Sequence, residues 1–530
     1  MANTSLVGFA ISAACALISY ILIPFLRDPY GLRKYPGPFV AKFTYAWSFW
    51  AGIRLNRPER IHAAHMRYGA IVRVSPSELS FCDPAAYDKV HAFYTKISKS
   101  GFYDTFATIG LRNLFTARLK SDHGQKRKLM HPLFTSEVAR DFAAPTISVT
   151  SRLLEQWDQR YISSLPAEPI WFECVPWITY LSFDLVAAFV FGETLQMVDR
   201  AADLVQAPQD WRTAFEFDIA KPGAAVPKQY LTQGISLSRT VSEREASNYL
   251  LGLLPAGWRP AIRRFLYRQV ASATTYAGFV AHAVDQRLSA SKAGPDARDL
   301  LGRLLHKAKL QNEAINPASL TAEIITLLVA GSDTTRNTLL AAIFYIAQNP
   351  SVQKGLQSEL DMYIPGSSST LSSFGEVELL PYLGACINET LRLFAPVGMG
   401  LPRTIPASGI SICGEHIAPG VTVGVPIYSL HRNTEVWGPD AEVFNPARWL
   451  GSDGDLKDSD EPVAKAFKPF SDGPAACIGK TLALLQLRLI LAMIFKRYEV
   501  CLEDPAKALQ SEQWFVRRVI ELKVGLTRRV

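Results

Sequence analysis

The chain is predicted to be mainly α-helical with small β-sheets, and three observations carry that prediction. Asn316-Pro317 opens a long apolar pattern that runs to Gln348, where Asn349-Pro350 stops it. Amphipathic stretches recur through the middle of the chain, among them Leu181 to Phe191 and Tyr276 to Leu288. Strand signals are short by comparison. Ala70 to Val74 and Glu78 to Phe81 flank Ser75-Pro76-Ser77 and read as one pair of strands within a helical protein.

With 530 residues, 48% of them hydrophobic, the chain has ample material for a large core and none of the composition of a disordered protein. Its seven cysteines are scattered, with no CxxC pair, which points to a reducing compartment and away from a disulfide framework. The net charge of +8 is spread and not blocked. Nucleic acid binding is therefore not indicated, whereas a basic face for an acidic protein partner is.

Taken in order, residues 1–26 are expected to form a membrane anchor. Leu6 to Leu26 is almost wholly apolar and long enough to cross a bilayer, and Arg27, Arg33 and Lys34 follow it. By the positive-inside tendency the remainder lies on the cytosolic side. Residues 27–38 end in Tyr35-Pro36-Gly37-Pro38, where the prolines favour an extended hinge. Residues 39–530 are expected to form one catalytic domain. Breaks such as Lys221-Pro222-Gly223 and the turn at Gly366 to Thr370 connect helices within it.

Four patterns in this domain can carry chemistry. His123 and Arg127 stand four apart, so a helix would put two donors on one face, where they can hold a carboxylate. Ala330-Gly331-Ser332-Asp333-Thr334-Thr335 interrupts the centre of the long helix with residues that run against helix propensity. A hydroxyl there can bond the carbonyl one turn back, and Gly331 is expected to leave a notch in which dioxygen can sit. Glu389 and Arg392 share a helix face and suit an ion pair, with Arg448 presented by a later aromatic turn. Last comes Phe470-Ser471-Asp472-Gly473-Pro474-Ala475-Ala476-Cys477-Ile478-Gly479-Lys480. Gly473 and Gly479 allow tight turns, and the helix that follows aims its N–H groups at the sulfur, which favours thiolate. Alone, each pattern has an ordinary explanation: a solvated helix face, a polar kink, an exposed ion pair, a buried thiol.

Together, in this order and spacing, the four resemble a cytochrome P450. The resemblance covers essentially the whole chain and implies the P450 fold, with a long central helix over haem b, iron protoporphyrin IX. Cys477 then corresponds to the axial thiolate and metal ligand, and Phe470 to the aromatic residue packed near the sulfur, within the frame of Gly473. Asp333 and Thr334 correspond to the acid-alcohol pair of catalysis, Gly331 to the residue beside the oxygen site. Glu389, Arg392 and Arg448 correspond to the buried charge triad, and His123, Arg127 and Arg403 to the haem-propionate contacts. The family usually places a basic residue two before the cysteine. This chain has Ala475 there, so one propionate contact is expected to be missing.

A finer resemblance is to the fungal microsomal branch that includes benzoate para-hydroxylases. It rests on Gly31 to Pro38, Trp171 to Trp177, Leu401-Pro402-Arg403, His431-Arg432-Asn433 and Glu435 to Gly438. It implies a monooxygenase that puts one atom of dioxygen into an apolar or aromatic small molecule, an aromatic acid or a secondary-metabolite intermediate. No glycine-rich nucleotide fingerprint is present, so electrons are expected from NADPH-cytochrome P450 reductase, with cytochrome b5 as a second donor. Docking is expected on the face near Cys477, through Lys468 and Lys480. The location implied is the endoplasmic reticulum membrane, single-pass, with a cytosolic catalytic domain. An oxygen-independent isomerase or dehydratase and a non-catalytic membrane haem protein are the alternatives, and the intact Asp333-Thr334 pair argues against both. Gly398-Met399-Gly400 is expected to give a roomy pocket wall, which keeps substrates bulkier than benzoate in play. Arg112 or Arg118 is a candidate partner for a substrate carboxylate, against the ordinary reading of both as solvent-facing arginines.

Overall fold

The computed structural model describes residues 19, 22–93, 95–162, 169–209, 212–214, 230–232, 234–289, 298–312, 316–364, 371, 373–457, 463 and 466–529. Most of the expected span from Leu6 to Leu26 lies outside these residues, as do Lys221-Pro222-Gly223 and the turn at Gly366 to Thr370. The described end of the span is helical from residue 22 to 27, with Leu22, Ile23 and Leu26 exposed. Among the described residues one helix is long and apolar enough to cross a membrane, Cys174–Phe191, and 78% of it is buried in the protein. It is a core helix.

Seven helices position the site: α1 (Lys120–Met130), α2 (Cys174–Phe191), α3 (Leu237–Gly252), α4 (Tyr267–Ser289), α5 (Pro317–Gln348), α6 (Pro381–Leu393) and α7 (Lys480–Arg497). The longest, α5, starts where its cap predicts. The Asn316 side chain accepts from the Ser319 N–H at 3.0 Å, satisfying a donor the first turn leaves free. It ends at Gln348, and Asn349 caps it. α5 packs against α2, α4, α6 and α7 at the centre of the main apolar cluster.

The expected strand pair is present as β1 (Ile71–Ser75) and β2 (Glu78–Phe81), antiparallel with Ile71 opposite Phe81. Three further strands complete the sheet: β3 (Ser98–Lys99), β4 (Arg403–Thr404) and β5 (Thr422–Gly424), in the order β1-β2-β5-β4-β3. β2 and β5 run parallel, and β3 pairs with β4 so that Lys99 stands opposite Arg403. The proline segment is docked on this sheet. Leu32 and Tyr35 are buried, the Arg73 N–H donates to the Pro36 carbonyl at 2.8 Å, and a Cβ on Gly37 would meet the Arg73 carbonyl oxygen at 2.2 Å. A separate hairpin, β6 (Gln510–Gln513) and β7 (Arg517–Glu521), turns back toward α5.

Candidate active site

The cysteine loop is closed by its own backbone. The Cys477 N–H donates to the Phe470 carbonyl at 2.8 Å, and the Asp472 carboxylate accepts from the Gly473 N–H at 2.7 Å. Gly473 is obligatory: its φ is +69°, and a Cβ there would lie 1.9 Å from the His91 carbonyl oxygen. Gly479 caps α7 without strain, its Cα close enough that a Cβ would stand 4.0 Å from the Cys477 sulfur. Cys477 lies deep in the fold yet keeps accessible surface. Burial raises its pKa, while the Gly479 N–H, the Arg127 and Lys480 charges and the Lys480 N–H oppose the rise and favour thiolate.

In α5 the hydroxyls bond backward as the sequence predicts. Thr334 Oγ1 donates to the Ala330 carbonyl at 2.7 Å, Ser332 to Leu328 at 2.6 Å and Thr338 to Thr334 at 2.9 Å. Ala330 is exposed and Thr334 partly so, in a helix whose middle is otherwise mostly buried. The expected notch at Gly331 is taken up on its Cβ side. A Cβ there would meet Val186 Cγ2 at 2.8 Å, so the glycine lets α2 approach α5 closely.

Asp333 turns the other way, into buried charge. Arg518 of β7 donates to it twice, at 3.0 and 2.8 Å, and Arg336 once, at 3.3 Å. Arg518 also pairs with Glu245 of α3, which accepts from the Val516 N–H at 2.6 Å. Burial works against the Asp333 charge, but the two guanidiniums outweigh it and its pKa is lowered. Glu245 is pushed up to about 8 by burial, against the pull of Arg518. Beside this network is a cavity of about 260 Å³, lined by Ser238, Ser242, Asp333, Arg336, Glu512 and Arg518 among others.

The triad forms, and it has more members than the sequence reading named. Glu389 and Arg392 are fully buried and paired at 2.8 and 2.9 Å, and Arg448 reaches Glu389 at 3.0 Å. The Asn445 N–H and the Trp449 indole N–H fill the remaining lone pairs at 3.0 and 2.9 Å. Arg392 also donates to the carbonyls of His431 and Val443, so no buried charge is left uncompensated. His431 extends the network: its Nδ1 donates to the Arg392 carbonyl at 3.2 Å, and its Nε2 accepts from the Lys468 N–H at 3.0 Å.

That arrangement requires a neutral imidazole. Burial pushes His431 down to about 3, and His65 and His123 each down to about 4. A histidine with a depressed folded pKa contributes stability above its unfolded pKa of ~6.5 and loses it as pH falls toward the folded value. Urea midpoints are therefore expected to decline between about pH 6.5 and about pH 4, and a midpoint independent of pH over that window would contradict these assignments.

A second charge cluster is all positive. Arg127 of α1 donates to the Ala476 carbonyl at 2.7 Å, and Arg403 donates to the Tyr103 hydroxyl at 2.6 Å. Lys99, which the sequence reading missed, is buried beside Arg403 and donates to the carbonyls of Leu114 and Phe115 at 2.9 and 2.7 Å. Burial and the Arg403 charge push Lys99 down to about 7, and burial with Lys99, Arg127 and Arg403 depresses His123. Haem b brings two propionates and a metal that prefers a thiolate. The donor set fits it: Cys477 would hold the iron, and Lys99, Arg127 and Arg403 with His123 would hold the carboxylates. Lys99 would add a cation to a set that lacks one at Ala475.

On the substrate side, Arg112 and Arg118 share the single carboxylate of Asp104, at 2.8 and 2.9 Å, as partly exposed arginines. The expected roomy wall is corrected. Gly400 adds no room, because a Cβ there would meet the Val425 nitrogen at 2.9 Å. The region is instead built of rings, of which Phe115 and Phe515 are only partly buried. Phe102, Phe106, Phe115 and Phe515 stand 5.1 to 6.4 Å from one another or from Tyr103 and Tyr249, with Met399 in the same cluster.

Residues 40–524 match the sequence model of the family described as Cytochrome P450. The chain is 30% identical to benzoate 4-monooxygenase of Aspergillus niger over 521 residues, covering 97% of this chain and 96% of that one. It is 27% identical to the cytochrome P450 monooxygenase gsfF of Penicillium aethiopicum, over 98% and 99% of the two chains. It is 25% identical to pisatin demethylase of Fusarium vanettenii, over 94% and 90%.

Proposed function

This chain belongs to the cytochrome P450 family of haem-thiolate monooxygenases, and on that premise we propose that it hydroxylates a flat aromatic molecule held among the phenylalanines. The observation that carries this reading is the ring cluster of Phe102, Phe106, Phe115 and Phe515, which offers edges and faces to another ring. It joins Tyr103, and so the cationic cluster, at one end and Tyr249 of α3 at the other. A relative that shares nearly the whole length is a benzoate 4-monooxygenase, which supports a ring-bearing substrate.

Haem bound through Cys477 supplies oxygen activation, since thiolate donation favours O–O cleavage. One oxygen atom enters the substrate and the other leaves as water, which consumes two protons and two electrons from the redox partner. The chain's own residues deliver the protons. Thr334 can rotate its hydroxyl from the Ala330 carbonyl and donate, while Asp333, held by Arg518 and Arg336 on the other side of the helix, borders the polar cavity through which protons would enter.

The anchor at residues 1–26 would hold the protein on the endoplasmic reticulum membrane with its catalytic domain in the cytosol. Electrons would come from NADPH-cytochrome P450 reductase, with cytochrome b5 as a second donor. Of the two lysines expected to meet the reductase, Lys468 is tied to Asp88 and Asp472, at 3.3 and 3.0 Å, and Lys480 is exposed at the start of α7. Lys480→Glu is expected to slow flavoprotein-driven reduction several-fold and to flatten its salt dependence, while Lys468→Gln changes it little. Stopped-flow reduction at two ionic strengths measures both, and equal rates for Lys480→Glu and wild type would move the docking face elsewhere.

The substrate reading is tested by spectral titration of the haem-loaded protein. Single-ring and fused-ring aromatics are expected to displace the iron's water ligand, and terpenoids of similar size are not. Turnover under isotope-labelled dioxygen is expected to place one labelled atom in the product. Product without label would overturn monooxygenation.

A further inference from the structure

Helix α3 lies along residues 102–108 in a fixed register. The Tyr249 ring meets Phe102 edge-on at 6.4 Å, the Asn248 carbonyl accepts from the Thr105 hydroxyl at 2.8 Å, and Arg244 Nη2 donates to Thr108 Oγ1 at 2.8 Å. The first of these contacts lies within the aromatic cluster. The last places a cation at the far end of the same contact, about 7.5 Å of helix rise away.

Arg244 is buried, at 6% exposure, and so is Thr108. Among the described residues the Thr108 hydroxyl is its one hydrogen-bond partner, and no carboxylate pairs with it. Glu245, the adjacent residue, is engaged by the Val516 N–H and by Arg518. Most other buried arginines hold a carboxylate, as Arg336 and Arg518 share Asp333 and Arg392 holds Glu389, whereas Arg73 is met by two carbonyl oxygens and Arg403 belongs to the cationic cluster. Tyr276 of α4 is fully buried, lies within range of the Arg244 charge, and its hydroxyl has no hydrogen-bond partner. A desolvated guanidinium without a counter-ion is unfavourable, and its planar fork of N–H groups matches a carboxylate in two-point fashion.

We propose that Arg244, with the hydroxyls of Thr108 and Tyr276, is the recognition site for the carboxylate of an aromatic acid substrate. The inference rests on the aromatic-substrate reading and adds the acid group to it. Burial lowers the hold of Arg244 on its proton, with Tyr276 and Glu245 opposing, and an incoming carboxylate supplies the charge that neither neighbour provides. Arg112 and Arg118, which share Asp104 and are partly exposed, are left outside this role.

The test uses the haem-loaded full chain with benzoate and 2-naphthoate against their methyl esters, each titrated by the change in the haem spectrum. Arg244→Gln is expected to weaken binding of the acids roughly 10- to 100-fold, the range set by charge-assisted hydrogen bonds, and to leave the esters within about twofold. Arg244→Lys is expected to recover part of the loss. Acid binding unchanged in Arg244→Gln, or acid and ester weakened alike, would overturn the proposal. Should Arg244→Gln fail to load haem, Tyr276→Phe and Thr108→Val carry the same comparison: a several-fold loss confined to the acids supports the site, and no acid-selective loss overturns it. Wild-type protein that binds the esters and not the acids overturns the proposal while leaving the aromatic reading intact. Binding of neither class removes both.

Discussion

Cys477→Ser is expected to abolish the thiolate signature in the carbon monoxide spectrum of the reduced protein and, with it, all monooxygenase turnover. The loop makes this a clean substitution. Its shape depends on the Cys477 N–H to the Phe470 carbonyl, on Asp472 with the Gly473 N–H, and on the close approach of Gly473 to His91, none of which uses the sulfur. Serine keeps that backbone and removes only the soft, electron-donating ligand. Haem can still be retained through Lys99, Arg127 and Arg403, so absorbance in the haem region should persist at a shifted position. An unchanged carbon monoxide spectrum would mean that another residue ligates the iron and would overturn the site at its first step.

Glu389→Ala is expected to destabilise the fold by roughly 3–5 kcal/mol, the range for removing one partner of a buried ion pair, and to abolish stable haem loading. The carboxylate is fully buried and holds Arg392, Arg448, the Asn445 N–H and the Trp449 indole at once. Its loss leaves the Arg392 guanidinium uncompensated between α6 and the His431 and Val443 carbonyls. Arg448→Ala should cost less, because the Arg448 side chain is 11% exposed and also leans on the outer carboxylate Asp440. Denaturant titration and haem content measured on both variants check the order. Equal stability of Glu389→Ala and wild type would show that the network contributes specificity and not stability.

Features written in local sequence were legible. The Asn316 cap, the Asn349-Pro350 stop and the apolar period between them define α5, because capping and helix periodicity act over a few residues. The i,i+3 pairing of Glu389 with Arg392 and the shared face of His123 and Arg127 are of the same kind. Partners brought together by the fold were not legible. Arg518 lies 185 residues from Asp333, and Lys99 meets Arg403 only because β3 pairs with β4. Glycine was read for the wrong benefit twice. At Gly331 and Gly400 the absent side chain admits a neighbouring element and leaves no room for a ligand, a distinction that depends on what the fold packs there.

The clamp of Glu245, Arg518 and Asp333 has a mechanical consequence. It joins three pieces distant in sequence: the helix above the aromatic cluster, the C-terminal hairpin and the centre of α5. α3 cannot lift away from the hairpin without stranding the charges of Glu245, Arg518 and Asp333 in an apolar setting. One guanidinium, that of Arg518, therefore ties α3, the hairpin and the centre of α5 together.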